Sequence, residues 1–391
     1  MFRQRLRCGL RRVLPAAILV VASLLGAAPL QAERSTNVEP DLAAGRAQHL
    51  RHGINASMWF AQSPHNYSRE RLQTYTTADD IALIARMGFD HVRLSIDADP
   101  LVEWQRNGNS TDFMTELDRV VKIMLANHLA VILDIHPESS YKAPLRQGTD
   151  SVKHFTSLWR ALAAHFASSD PEHVFFEIMN EPEQDDPYRW QGIENVVADA
   201  IRGVAPKHTI IAAGARWSGL EDLLMLEPLS QTNVIYTFHD YEPFPFTHQG
   251  ATWTSPEVQP LRAIPYPSSA DAVSPNLNQE PDLAGKYFLE QYGLGRWDAD
   301  RVEKTIEFAA LWSQMHHAPV YCGEFGVLRD YAPAAMRAQW LHDMRVALEK
   351  DHIGWAMWDY QANFGVVTKA NGVTTADPEI VKALGLSASG R

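Results

Sequence analysis

Glu181 and Glu324 each close a short run rich in β-branched and aromatic residues, VFFEIMNEP and VYCGEFG. Two carboxylates brought face to face can divide the labour on one bond. The neutral one protonates a leaving group, and the ionised one attacks as a nucleophile. The same kind of polar ending recurs along the chain: Arg93 in HVRLSID, Asp134 and His136 in VILDIH, Asn180 beside Glu181, His239 and Tyr241 in TFHDY, and Trp358 in AMWDY. A single glutamate after a buried strand is more often half of a surface ion pair. Six runs that all end in acid, base, hydrogen-bonding or aromatic groups point instead to one shared site.

Such endings meet only if the runs lie side by side and point the same way. Eight β-rich runs, at residues 53–58, 91–97, 130–136, 174–180, 209–215, 234–241, 320–325 and 354–360, alternate with amphipathic segments such as 114–128 and 334–350. Runs like VILDI and VFFEIM are near-continuously apolar, as strands buried on both faces must be, and the intervening segments repeat apolar residues at three and four. The pattern predicts an α/β fold, a single (β/α)8 TIM barrel with its chemistry at the C-terminal strand ends. Strands four and seven then stand on opposite sides of the mouth, which sets Glu181 against Glu324. A gap of about 5 Å would make them a retaining glycosidase pair, and one of about 6.5–9.5 Å an inverting pair. The first run continues as ASMWFAQ with no glycine turn, so no dinucleotide site is expected.

Residues 242–298, proline-rich and carrying Phe244, Phe246, Trp253 and Tyr266 without clear periodicity, read as a long insertion after strand six that walls or covers the cleft. Trp59, Trp104 and Trp217 follow strands one, two and five, where they could line the cleft or simply pack. Residues 1–32 have the arginine-rich start, apolar core and small-residue exit of an export signal, with cleavage near Ala32. Residues 33–48 read as a polar leader, and residues 49–391 as the catalytic domain. A secreted or periplasmic protein is expected, probing the mature N-terminus for Glu33. Without the five arginines of the signal, 30 basic residues face 47 acidic ones, about −17 with histidines neutral. That charge excludes nucleic acid and anionic membranes as partners and suits a neutral substrate. Cys322 is alone once Cys8 leaves, and strand alternation sets it near Glu324 as a small buried residue. A monomer is expected. No metal or cofactor is expected either: GINASM lacks the histidine pair of metal-dependent barrels, and FGVLRDY and QANFG lack the glycine turns of phosphate sites.

The set VRLSI, LDIH, IMNEP, FHDY, CGEFG and AMWDY resembles glycoside hydrolase family 5, whose retaining β-glycanases carry two glutamates at the ends of strands four and seven. The resemblance spans nearly the whole chain after the signal. It implies Glu181 as acid/base and Glu324 as nucleophile, with Arg93 and Tyr241 beside Glu324. It further implies Asn180 and His136 on the sugar, His239 near the acid/base, and Trp358 as a platform for the sugar ring. The expected substrate is a β-linked glucan, with endo-β-1,4-glucan first and mannan, xyloglucan and β-1,3-glucan as alternatives. A noncatalytic sugar-binding barrel is the alternative of a different class.

Overall fold

The computed structural model of the chain describes residues 42–387, apart from 64–65, 109–110 and 281. The expected export signal and most of the expected leader lie outside the described residues. The β-rich runs form eight parallel strands: β1 (His52–Phe60), β2 (His91–Ile96), β3 (Ala130–Ile135), β4 (Val174–Glu177), β5 (Thr209–Ala213), β6 (Val234–His239), β7 (Val320–Phe325) and β8 (Gly354–Met357). They close in sequence order into a barrel, with β1 pairing both β2 and β8. The helices Asp112–Ala126 and Ala334–Lys350 fall on the segments whose spacing predicts them. Thr111 starts the first of these, its hydroxyl accepting from the Met114 amide at 3.3 Å, as an N-cap does.

Several strands are shorter than expected because the regular ladder gives way to single bonds at the mouth. Past β4, the Ile178 amide still donates to the Ile211 carbonyl at 3.0 Å and the Asn180 amide to Ile135 at 2.9 Å. Past β3 and β6, the His136 and Asp240 amides do the same, to Ile96 and Glu324. The residues expected to end strands are therefore anchored by the barrel even where the strand has formally stopped.

Apolar side chains facing outward from the strands pack with the surrounding helices in one large core. A smaller cluster, including Leu50, Ile132, Phe175, Ile211, Ile235 and Tyr321, fills the barrel floor. The end of the expected polar leader joins this floor: Leu42–Ala47 is a helix that buries Ala43 and Arg46. Arg46 pairs with Glu172 at 2.7 Å and donates to Thr209 Oγ1 at 3.2 Å, so the leader is a plug rather than a loose tail over these residues.

The insertion after β6 is also more ordered than its sequence suggests. It contains the helices Phe244–Thr247, Ala270–Gln279 and Leu283–Gly295. Phe246, Leu261, Ile264, Tyr266 and Tyr292 are buried, and Tyr266 donates its hydroxyl to Asp343 at 2.9 Å, tying the insertion to the helix Ala334–Lys350. Pro275 sits inside Ala270–Gln279, and in Leu283–Gly295 the exposed Leu283, Tyr287 and Leu294 blur the apolar face, so helical periodicity does not register in the sequence. Among the described residues no helix is long and apolar enough to cross a membrane.

Candidate active site

The inward-facing residues of β2 climb from His91 through Arg93 to Ser95, and Arg93 lies fully buried on the barrel axis. An arginine there must have every donor met, and its five N–H groups are all used. Nε and one Nη2 hydrogen go to the two oxygens of Glu177 at 2.8 and 2.7 Å, and Asn180 Oδ1 receives the second Nη2 hydrogen at 3.0 Å. Nη1 donates to Asn55 Oδ1 at 3.0 Å and to Glu324 Oε1 at 2.7 Å. Asp134 lies a further 3.1 Å from Nη2. One guanidinium thus serves three carboxylates on β3, β4 and β7 and orients the asparagine next to Glu181.

Glu324 reaches the mouth by a bulge. On β6, Phe238 pairs with Cys322 and His239 with Glu324, so the ladder passes over Gly323. Such an extra residue breaks strand alternation and re-aims the side chain that follows. Cys322, small and buried as expected, stays a near neighbour with its Sγ 3.4 Å from the Glu324 carbonyl oxygen, while its side chain packs in the layer between barrel and helices. Glu324 accepts from Tyr241 Oη at 2.8 Å as well as from Arg93, so each of its oxygens has a donor. Burial, with Glu324 alongside, pushes the Tyr241 hydroxyl up, and it keeps its proton to donate.

Opposite, Glu181 sits on a turn with φ +39°, a left-handed conformation that costs a non-glycine residue about 1–3 kcal/mol. Its neighbour Glu183 secures the turn: the Glu183 amide donates to the Arg216 carbonyl at 2.7 Å, and its carboxylate meets Ser139 Oγ at 2.7 Å and Lys142 Nζ at 3.2 Å. One oxygen of Glu181, one of Glu324 and a ring nitrogen of His239 all lie within 4.8 Å of one another. His239 Nδ1 is 3.2 Å from Glu181 and 3.7 Å from Glu324. This trio could ligate a cation by reach alone, but the Arg93 guanidinium 2.7 Å from Glu324 already supplies the positive charge there.

A second chain of bonds sets the groups beside Glu181. Asn180 turns its oxygen to Arg93, so its amide nitrogen donates to His136 Nε2 at 3.1 Å, and His136 Nδ1 meets Asp134 at 2.9 Å. Burial pushes His136 down to about 3, leaving it neutral with its proton on the Asp134 side. Trp358 lies over His136 with ring centres 5.7 Å apart and planes 21° from parallel. All eight predicted site residues come together except that Arg93 lies beneath the cleft surface. The other seven line a cavity of about 1250 Å³ at the C-terminal end of the barrel. A smaller cavity, about 320 Å³, lies at the opposite end beside the Leu42–Ala47 helix, remote from these groups.

The cleft also brings in residues that sequence reading left aside. Trp217 and Trp253, 61% and 58% exposed, line it, whereas Trp59 and Trp104 are buried packing residues. Of the insertion, Phe244, His248, Trp253, Thr254 and Ser255 form a wall, while Phe246 and Tyr266 belong to the core. Asn55 and Glu177 were missed, although a charged or amide side chain inside a strand buried on both faces is itself a signal that the barrel interior is polar at that level.

Burial pushes the Glu181 carboxyl above its ordinary range, and Glu183 adds to the rise against the pull of Lys142, His136 and Arg93. A raised acid keeps its proton to higher pH, so the basic limb of the kcat/KM profile should lie above the normal glutamate range and report Glu181. Glu181→Gln is expected to erase that limb and to slow hydrolysis of unactivated glycosides by about 10²–10⁴-fold. A pH profile of the variant that keeps the same basic limb would assign it to another group.

A closed parallel barrel whose mouth holds two facing carboxylates, amide and imidazole donors and exposed indoles defines a hydrolase of carbohydrate bonds. Residues 53–364 match the family model for cellulase, glycosyl hydrolase family 5, and the chain belongs to that family. Endoglucanase C of Acetivibrio thermocellus is 29% identical over 317 residues, covering 79% of this chain and 90% of that protein. Endoglucanase 3 of Fibrobacter succinogenes is 29% identical over 360 residues, 87% of this chain and 53% of that protein. The endoglucanase Cel5A of Thermotoga maritima is similar in structure with a TM-score of 0.70 at 26% identity, over 88% of this chain and 99% of that one. The chain is a glycoside hydrolase of that family.

Proposed function

We propose that the protein is a retaining endo-β-1,4-glucanase that works by double displacement, with Glu181 as acid/base and Glu324 as nucleophile. The observation that carries this reading is the carboxylate spacing: one oxygen of Glu181 lies within 4.8 Å of one of Glu324, which supports the short gap of a retaining pair over the wider one that holds a water in inversion. In the first half-reaction Glu181 gives its proton to the glycosidic oxygen while a Glu324 oxygen bonds the anomeric carbon and the leaving sugar departs. Water then enters where that sugar was. Glu181 takes one of its protons, the oxygen bonds the anomeric carbon, and Glu324 leaves as the carboxylate. Asn180, with its oxygen held by Arg93, directs its amide toward the sugar 2-hydroxyl, and Trp358 offers an apolar face for C–H stacking.

The endo preference is supported by the open cleft with Trp217 and Trp253 beyond the carboxylates, and the glucan preference by the names of the relatives. β-Mannan is the second reading, because the Thermotoga maritima enzyme is described in complexes with both cellobiose and mannotriose. Incubation with defined β-1,4-glucan, mannan, xyloglucan and β-1,3-glucan oligosaccharides is expected to give internal cleavage of the β-1,4-glucan first. Faster turnover of mannan would replace the substrate assignment, and hydrolysis of none would defeat the proposal.

A further inference from the structure

His239 touches both carboxylates through one ring nitrogen, Nδ1, and burial pushes its pKa down to about 4. A neutral imidazole carries one hydrogen and one lone pair, and here the choice matters. With hydrogen on Nδ1, the ring donates to Oε1 of Glu181 and leaves the carboxyl proton on the other oxygen, free to meet a leaving group. With a bare lone pair on Nδ1, the ring would accept that proton itself and turn the acid away from its work. What Nε2 meets therefore decides whether the acid is usable.

Nε2 of His239 and Oγ1 of Thr237 are both buried and neither bonds another protein atom, among the described residues. Both border the face of Gly323 that carries no side chain. A Cβ there would stand 2.6 Å from Thr237 Oγ1 and 3.4 Å from His239 Nε2. Gly323 is also the residue that the β6 ladder skips, so the bulge that aims Glu324 makes this space at the same time.

We propose that Thr237 is a positioning residue for catalysis: across the bulge at Gly323, its hydroxyl makes His239 Nε2 an acceptor through one bridging water and so keeps the hydrogen on Nδ1. Counting hydrogens supports the direction. The Thr237 O–H has no other acceptor, so it donates to the bridge, and the bridging water donates to Nε2; one water hydrogen is left over. The reverse tautomer leaves two, the Thr237 hydroxyl hydrogen and one on the water, and buried donors without acceptors are the costlier defect. At Nδ1 the Glu324 carboxylate, 3.7 Å away, favours the same tautomer.

The inference rests on Glu181 being the acid of a glycosidase, and its test separates the two claims. Thr237→Val keeps the shape and removes the hydroxyl, while Thr237→Ser returns it. Across aryl β-cellobiosides of graded leaving-group acidity, Thr237→Val should lose about tenfold in kcat/KM on the poorest leaving groups and almost nothing on dinitrophenyl cellobioside, which needs no proton. Thr237→Ser should restore the wild-type slope. A loss equal across the series, or none, overturns the proposal. Nitrogen-15 spectra of the His239 ring give a readout that needs no turnover: Nδ1 protonated in the wild type is expected, and Nε2 protonated would overturn it. If the wild-type protein cleaves no β-glycoside, the functional reading fails while the ring spectra still judge the tautomer.

Discussion

Glu324→Ala is expected to fold and to lose hydrolysis by about 10⁴-fold or more, the scale on which a covalent nucleophile is missed. The side chain is held at both oxygens, by Arg93 at 2.7 Å and Tyr241 at 2.8 Å, and the bulge at Gly323 aims it where no other carboxylate can substitute. The fold should tolerate the change because Arg93 keeps Glu177 and Asp134 as counter-ions. Azide can occupy the space the side chain leaves and attack an activated aryl β-cellobioside from the same side as Glu324 does. The expected product is the α-glycosyl azide. Glu181→Ala with the same reagents should give the β-azide instead, because there the glycosyl-enzyme still forms and azide replaces water. A β-azide from Glu324→Ala, or near-normal hydrolysis by it, would reverse the assignment of the two glutamates.

The residues that could be read from the sequence are those that break an apolar pattern. β2, β3 and β7 appear as apolar runs; His136 and Glu324 attract notice because a polar group closes each run, and Arg93 because it interrupts one from within. The bulge at Gly323 could not be read that way. A period of two has no mark for an inserted residue: Cys322 is the small buried neighbour of Glu324 that the sequence suggests, but its side chain joins the packing outside the barrel wall instead of sharing the inward face. Glu177 is harder to excuse, since a carboxylate within VFFEIM needs a cation, and Arg93 two strands away is the only arginine placed inside a predicted strand. Trp217 follows β5 and Trp59 lies at the end of β1, and only packing separates a cleft indole from a buried one. The gap between the carboxylates depends on barrel closure and the bulge together, a tertiary distance that local spacing does not encode.

The same closure makes Arg93 the position where stability and catalysis are most tightly joined. Arg93→Leu should lower unfolding stability by about 3–5 kcal/mol, the cost of breaking a buried ion pair and leaving its partner unmatched. Burial already pushes Asp134 up to about 6 and raises Glu177 with the guanidinium present, so without it these carboxylates would bind protons more tightly still. The folded variant then holds more protons than the unfolded chain above the ordinary carboxylate range, and its stability must rise as pH falls toward that range. The destabilisation relative to wild type should accordingly be larger at pH 8 than at pH 5, as denaturant titrations at the two values would register. Arg93→Lys separates charge from geometry. A lysine restores one cation but cannot make five directed bonds in a plane, so it should recover part of the stability while Asn180 and Glu324 lose their shared anchor and turnover stays low. Equal destabilisation at both pH values, or full activity in the lysine variant, would show that the barrel holds these carboxylates without the guanidinium.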